Sequence, residues 1–148
     1  MNYGKTLGIL NVLTGTFESL IPQGQTAMTP YYSANGKNIL YASSVEIKNI
    51  QGIGQWIKVK HPIYKINIET KKITQLTNSL NGFDFAPVYI SNKDIVFLRA
   101  DSVGNVSMWE LEDGNETKII DGLVFYSDQY KTQNYYGHFN NSYYIDFG

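Results

Sequence analysis

The chain contains no cysteine, only two histidines and only four prolines in 148 residues. Without cysteine there are no disulfides, no thiolate metal ligands and no cysteine nucleophile. Charge is scarce as well: 17% of residues are charged and the formal net charge is −1. That balance leaves no electrostatic footprint for nucleic acid or an anionic membrane surface. No segment approaches 18 uninterrupted apolar residues, the length that marks a membrane-spanning helix. The N-terminus, MNYGKTLGIL, lacks the charged region, long apolar core and small-residue cleavage site of a signal peptide. The expectation is a cytoplasmic chain, or a periplasmic or extracellular one if the sequence is a mature fragment. Catalytic signatures are missing too. There is no Gly-x-Ser-x-Gly elbow, no His-Glu-x-x-His and no phosphate-cradling glycine loop; Gly52-Ile53-Gly54 stands alone. The reading is of a non-enzyme that needs no cofactor and no metal.

Helical periodicity is another absence, since no window of eleven residues carries an i, i+3, i+4, i+7 apolar stripe. The runs instead suit a two-residue period, with Ile39, Tyr41 and Ser43 alternating against Leu40 and Ala42, and Ile63–Ile68 and Ile95-Val96-Phe97-Leu98 behaving similarly. Thr14-Gly15, Asn35-Gly36, Asn92-Lys93-Asp94 and Asp113-Gly114 punctuate these runs with residue types that tolerate positive φ. The chain reads as all-β and built from hairpins.

What the sequence does have is repetition. Residues 29–43 (TPYYSANGKNILYAS) and 86–100 (APVYISNKDIVFLRA) share a proline, an aromatic stretch, Ser33 or Ser91, a polar turn and an apolar strand. A second pattern occurs three times, as LNVLTGTFESL (10–20), INIETKKITQL (66–76) and WELEDGNETKI (109–119). Self-similarity at a spacing of roughly 40–55 residues is the signature of a β-propeller, in which each repeat is one blade. The expected unit spans 1–148: a half blade at 7–21, a blade at 24–77 with a long hairpin insertion at 45–61, a blade at 80–120, and a partial blade at 122–147. About two complete four-stranded blades plus terminal half blades cannot close a ring, because propellers carry roughly 4–8 blades. Closure then requires oligomerisation, for example a C2 pair of chains, or a longer parent chain.

The succession Leu76-Thr77, Asp84, Pro87, Ser91, Asp94, Ile95-Val96-Phe97, with Pro30, Ser33, Asn35, Gly36, Lys37 and Ile39-Leu40-Tyr41 in the earlier copy, resembles the TolB-like (WD-type) β-propeller repeat. The resemblance covers roughly residues 7–121. The earlier copy departs from it, with Thr26 or Ala27 where an acidic residue is usual, and the later copy replaces an aspartate-glycine turn with Asn92-Lys93-Asp94. The resemblance implies a scaffold that engages protein partners through the loops at one end of the ring or through its central channel. It also implies that Asp84, just before an inner strand, holds loops together by hydrogen bonds.

Candidate contact residues follow. The 45–61 insertion, VEIKNIQGIGQWIKVKH, alternates around Gly52-Ile53-Gly54 and reads as a projecting arm offering Ile53, Trp56, Lys58, Lys60 and His61 to a protein partner. The bland alternative is an arm packed on a neighbouring blade or subunit with its lysines solvated. Asp84 and Asp101, in the inter-blade loops, complete the partner-binding set. Nine of the 21 aromatic residues fall between 124 and 147. Tyr130, Tyr135 and Tyr136 with Asn140 form a carbohydrate-binding candidate, with tyrosine rings stacking on sugars and amides meeting hydroxyls. The alternative for that segment is a strand pair buried between blades, where tyrosine suits half-wet surfaces. The leading expectation is a scaffold for protein–protein binding or self-association. A lectin-like propeller and a substrate-gating propeller fragment of a larger serine peptidase stand behind it.

Overall fold

The computed structural model describes residues 6–23, 25–43, 61–78, 82–101 and 105–123, together with the backbone of Phe125–Tyr126 and Tyr144–Ile145. Of the insertion, only His61 is described. Ile53, Trp56, Lys58 and Lys60 lie outside the described residues, as do Tyr130, Tyr135, Tyr136 and Asn140.

All described secondary structure is β. An N-terminal hairpin pairs β1 (Gly8–Leu10) with β2 (Phe17–Ser19). The first four-stranded sheet runs in chain order through β3 (Met28–Tyr32), β4 (Asn38–Ala42), β5 (Ile63–Asn67) and β6 (Ile73–Gln75). The second repeats that meander with β7 (Phe83–Tyr89), β8 (Ile95–Ala100), β9 (Val106–Glu112) and β10 (Asn115–Leu123). A short antiparallel pair, β11 (Phe125–Tyr126) and β12 (Tyr144–Ile145), follows. Every pairing between named strands is antiparallel. No helix among the described residues is long and apolar enough to cross a membrane.

The sheets stack face to face because the first sheet is apolar on both sides. Side chains alternate along β4, so Ile39 and Tyr41 point one way and Leu40 and Ala42 the other. Ile39, Tyr41 and Ile66 pack with Leu7, Leu20, Ile21 and Ala27 beside the N-terminal hairpin. Leu40, Ala42 and Ile63 pack with Ile95, Phe97 and Leu111 of the second sheet. Burial on both faces explains why 39–42 is an unbroken apolar run rather than an apolar–polar alternation. Tyr41 and Tyr64 sit opposite each other on β4 and β5 with ring centroids 5.6 Å apart. Burial, reinforced by Tyr64, pushes the Tyr41 phenol up to about 12. The two sheets meet through their early strands, with β7 running against β3 and β4; β6 and β10 occupy the far edges.

The repeats carry identical local devices. In the β1–β2 turn, Asn11 Oδ1 accepts the amides of Leu13 and Thr14, Thr14 Oγ1 accepts that of Thr16, and Gly15 N–H donates to the Asn11 carbonyl. Fifty-six residues later, Asn67 Oδ1 accepts the amides of Glu69 and Thr70, Thr70 Oγ1 accepts that of Lys72, and Lys71 N–H donates to the Asn67 carbonyl. Gly15 and Lys71 occupy the same left-handed slot, at φ 71° and 59°. A Cβ at Gly15 meets nothing within 4 Å, so Gly15→Ala tests the backbone alone. It is expected to cost about 1 kcal/mol, read as a lower midpoint in urea unfolding with an unchanged m-value. Ser33 and Ser91 close the β3–β4 and β7–β8 turns, with their hydroxyls donating to Asn35 Oδ1 and Asp94 Oδ2 at 2.7 Å each. The Asp113-Gly114 turn has positive φ at both residues, 47° and 83°, as a two-residue hairpin of this kind requires.

Candidate functional site

The joint between the two sheets is where charged groups gather. Thr77 follows β6 and closes the first sheet: its Oγ1 accepts the Ile63 amide at 2.9 Å, and its hydroxyl donates to Asp84 Oδ2 at 2.6 Å. Asp84, on β7, has no solvent exposure. Arg99 lies opposite it on β8 and grips the carboxylate with both arms of its fork, Nε to Oδ1 at 2.6 Å and Nη2 to Oδ2 at 3.0 Å. The remaining nitrogen, Nη1, donates to Glu116 Oε2 on β10 at 2.7 Å. The guanidinium also stacks over the Trp109 ring, 4.6 Å from its centroid, with Phe97 at 5.2 Å. Trp109 is itself oriented by its indole N–H, which donates to Ser107 Oγ at 2.8 Å. Burial works against the arginine's charge, but the bonds to Asp84 and Glu116 outweigh it and hold the guanidinium above its ordinary value. A bidentate arginine clamped between a carboxylate and an indole face is among the more rigid polar arrangements available to a β-sheet.

A second tie joins the inner strands. Thr29 and Ala86, each just before a proline, adopt positive φ at 48° and 49°. Each creates a register shift in its strand, between Met28 and Tyr31 on β3 and between Phe85 and Val88 on β7. The bulges face each other, and the Ala86 amide donates to Thr29 Oγ1 at 3.0 Å. Thr29→Val keeps the side-chain shape and removes the acceptor. It is expected to cost about 1–2 kcal/mol, with faster amide exchange at Ala86 as the local readout.

Two of the expected partner-contact residues are interior. Asp84 is consumed by Thr77 and Arg99 and is closed to a partner. His61 is fully buried; its ring lies 4.1 Å from that of Phe83, and its carbonyl accepts the Asp84 amide at 2.9 Å. Desolvation by burial pushes its imidazole down to about 4. Asp101 is half-buried and holds the start of the β8–β9 connection, accepting the Asn105 backbone and side-chain amides at 2.9 and 2.8 Å. Asp84 and His61 are thus brought together, while Asp101 serves its own turn. The sequence alone does not mark Arg99 and Glu116 as residues of the joint. One signal was available for Arg99: it is the chain's only arginine, and it stands at the end of an apolar strand.

Among the described residues no group of three or more His, Asp or Glu side chains is placed to hold a metal ion. Exposed apolar side chains occur at Tyr31, Tyr32 and Ile90, where β3 and β7 run into the Ser33 and Ser91 turns, and Tyr31 and Tyr89 approach to 6.5 Å between ring centroids. No protein-family model matches this chain, and no curated protein matches it.

Proposed function

We propose that this chain is a non-enzymatic TolB-like β-propeller unit, acting as a scaffold for protein–protein binding or assembly. The observation that carries the reading is the repeated joint. The apolar positions through which the N-terminal hairpin meets the first sheet match those through which the first sheet meets the second, and the two sheets approach most closely through their early strands. Blades radiating from an axis require that wedge-like stacking. The residues that make up the resemblance have fitting tasks: Thr77 bonds to Asp84 across the joint, and Ser33 and Ser91 close equivalent turns. The non-enzymatic part is supported by how the ionisable groups are used. Asp84 and His61 are sealed from solvent, Arg99 is spent on Asp84 and Glu116 within the second sheet, and Asp84 and Glu116 also accept bonds from Thr77 and Asn78 across the joint.

Partners then engage the exposed ends of the blades, where Tyr31, Tyr32 and Ile90 offer apolar surface beside polar turns. A crystal structure of the purified protein tests the architecture. Sheets radiating about an axis lined by β3 and β7 are expected, and a flat stack without such an axis would overturn it. Turnover of peptide, ester or glycoside probes that co-purifies with the protein and disappears on substitution of a described carboxylate would overturn the non-enzymatic reading.

A further inference from the structure

The N-terminal hairpin matches the outer half of the first sheet. Its equivalence to β5–β6 holds bond by bond. Leu20 N–H donates to the Leu7 carbonyl at 2.8 Å as Leu76 N–H donates to that of Ile63 at 2.8 Å, and Asn11 N–H donates to Thr16 as Asn67 N–H donates to Lys72. β1 therefore stands in the place of β5, a third strand, and β2 in the place of β6, a fourth. In the first sheet the other side of β5 is taken by β4. Among the described residues, nothing pairs with the corresponding side of β1.

The alternation of antiparallel hydrogen bonds fixes which groups are open. Leu7–Leu20 and Asn11–Thr16 are hydrogen-bonded pairs, so Ile9 also faces β2, and the N–H and C=O of Gly8 and Leu10 point to the open side. Their equivalents, Tyr64 and Ile66, face Tyr41 and Ile39 of β4. The outward face of the hairpin is bare as well: Leu10 is 58% exposed and Phe17 59%, whereas the equivalent Ile66 is fully buried. An open strand edge flanked by bare apolar side chains is a template for β-pairing.

At the other end of the chain, β11 follows β10 as β7 follows β6, and β12 pairs antiparallel with β11 as β8 pairs with β7. That pair has the order of a first and second strand. Among the described residues, β1–β2 thus correspond to an outer strand pair and β11–β12 to an inner one.

Resting on the propeller reading above, we infer that the open edge of β1 is a strand-acceptor site whose occupant is the β11–β12 hairpin of a second copy of this chain. Reciprocal exchange builds two composite four-stranded sheets under one two-fold axis. Each composite sheet contains β11 and β12 of one copy and β1 and β2 of the other. Together with the two complete sheets of each copy they make a ring of six.

Light scattering on a size-exclusion column and amide hydrogen exchange test this together. The wild type is expected at about twice 16.8 kDa, with the Gly8 and Leu10 amides slowed by about a hundredfold or more relative to an open chain, and with that protection lost on dilution to the single-chain mass. Leu10→Pro deletes one outward N–H without touching the β1–β2 bonds, and proline is tolerated on an edge whose N–H is unused. It is expected to give a folded single chain, while Leu10→Ala stays at the double mass. A single-chain wild type overturns the inference, whether Gly8 and Leu10 exchange freely or are protected by internal closure. So does a two-chain particle in which Leu10→Pro changes nothing. If Leu10→Pro does not fold, exchange at Gly8 and Leu10 in the wild type decides alone. A single-chain wild type that retains protection at Ala86 loses this inference but keeps the stacked sheets. Failure of the propeller reading itself would instead appear as the absence of a radial axis in the crystal.

Discussion

Asp84→Ala is expected to destabilise the protein by about 3–5 kcal/mol, the cost of stripping one partner from a buried ion pair. The carboxylate is fully buried and accepts bonds from Thr77 and from two nitrogens of Arg99. Removing it leaves the Thr77 hydroxyl without its acceptor and leaves Arg99, whose side chain is 14% exposed, with Glu116 as its one described carboxylate. Lost packing is the smaller part of the effect, because an aspartate side chain is small. Urea unfolding at neutral pH is the measurement, with a lower midpoint at constant m-value as the expected form. A loss below about 1 kcal/mol, the range of an exposed pair, would mean that the joint is hydrated and does not hold the sheets.

The protein contains its own control. The position of Asp84 in the second sheet corresponds to Ala27 beside the first, that of Thr77 to Ile21, and that of Arg99 to Ser43. Ile21 and Ala27 are buried in the apolar cluster under the N-terminal hairpin. At the Ile21 and Ala27 positions one joint is therefore apolar where the equivalent joint is ionic. Replacing a whole buried ionic network with apolar groups is often far less costly than breaking it. The triple variant Thr77→Ile, Asp84→Ala, Arg99→Ser is accordingly expected to recover at least about 1–2 kcal/mol relative to Asp84→Ala. Full recovery is not expected, since Trp109 loses the guanidinium stacked on its face.

This pair of joints also shows what a sequence of this kind reveals. Turns were legible because their chemistry is local: Asp113-Gly114 and Asn35-Gly36 need only residues tolerant of positive φ. The hairpin at 67–72 follows the same plan with Lys71 in the left-handed slot, and only comparison with Asn11–Thr16 makes that visible. The repeat at 29–43 and 86–100 was legible in outline, but the bulges at Thr29 and Ala86 were not. Residues before proline usually avoid such backbone angles, and the facing strand, far away in sequence, is what makes the bulge useful. Burial was the harder property. His61 closes a lysine-rich stretch that reads as an exposed arm, yet the stacking of the second sheet seals it. Arg99 reads as the polar end of an apolar strand, and Glu116 as a hairpin flank. Their roles appear only when β8, β10 and the Trp109 face come together.

His61 supplies the second large effect, in the response to acid. Burial holds its imidazole at about 4 in the folded protein, against an ordinary 6.5. Between those values the unfolded chain binds the proton and the folded one does not, so stability rises with pH across that window. The contribution is fully present above pH ~6.5, falls as the pH drops, and is exhausted near pH ~4. From about pH 7.5 to about pH 5 the expected loss is about 2 kcal/mol. Protonation would place a cation against the Phe83 ring in a site with no solvent exposure, beneath the strand that carries Asp84. Acid should therefore loosen the joint that the Asp84 clamp holds. Urea midpoints for the wild type and for His61→Gln, taken across this range, isolate the histidine. The glutamine variant is expected to lose most of the slope between pH ~5 and pH ~6.5 while keeping whatever the carboxylates contribute. Parallel profiles for the two proteins would show that His61 takes up its proton in the folded state, and so that water reaches the seam between the sheets.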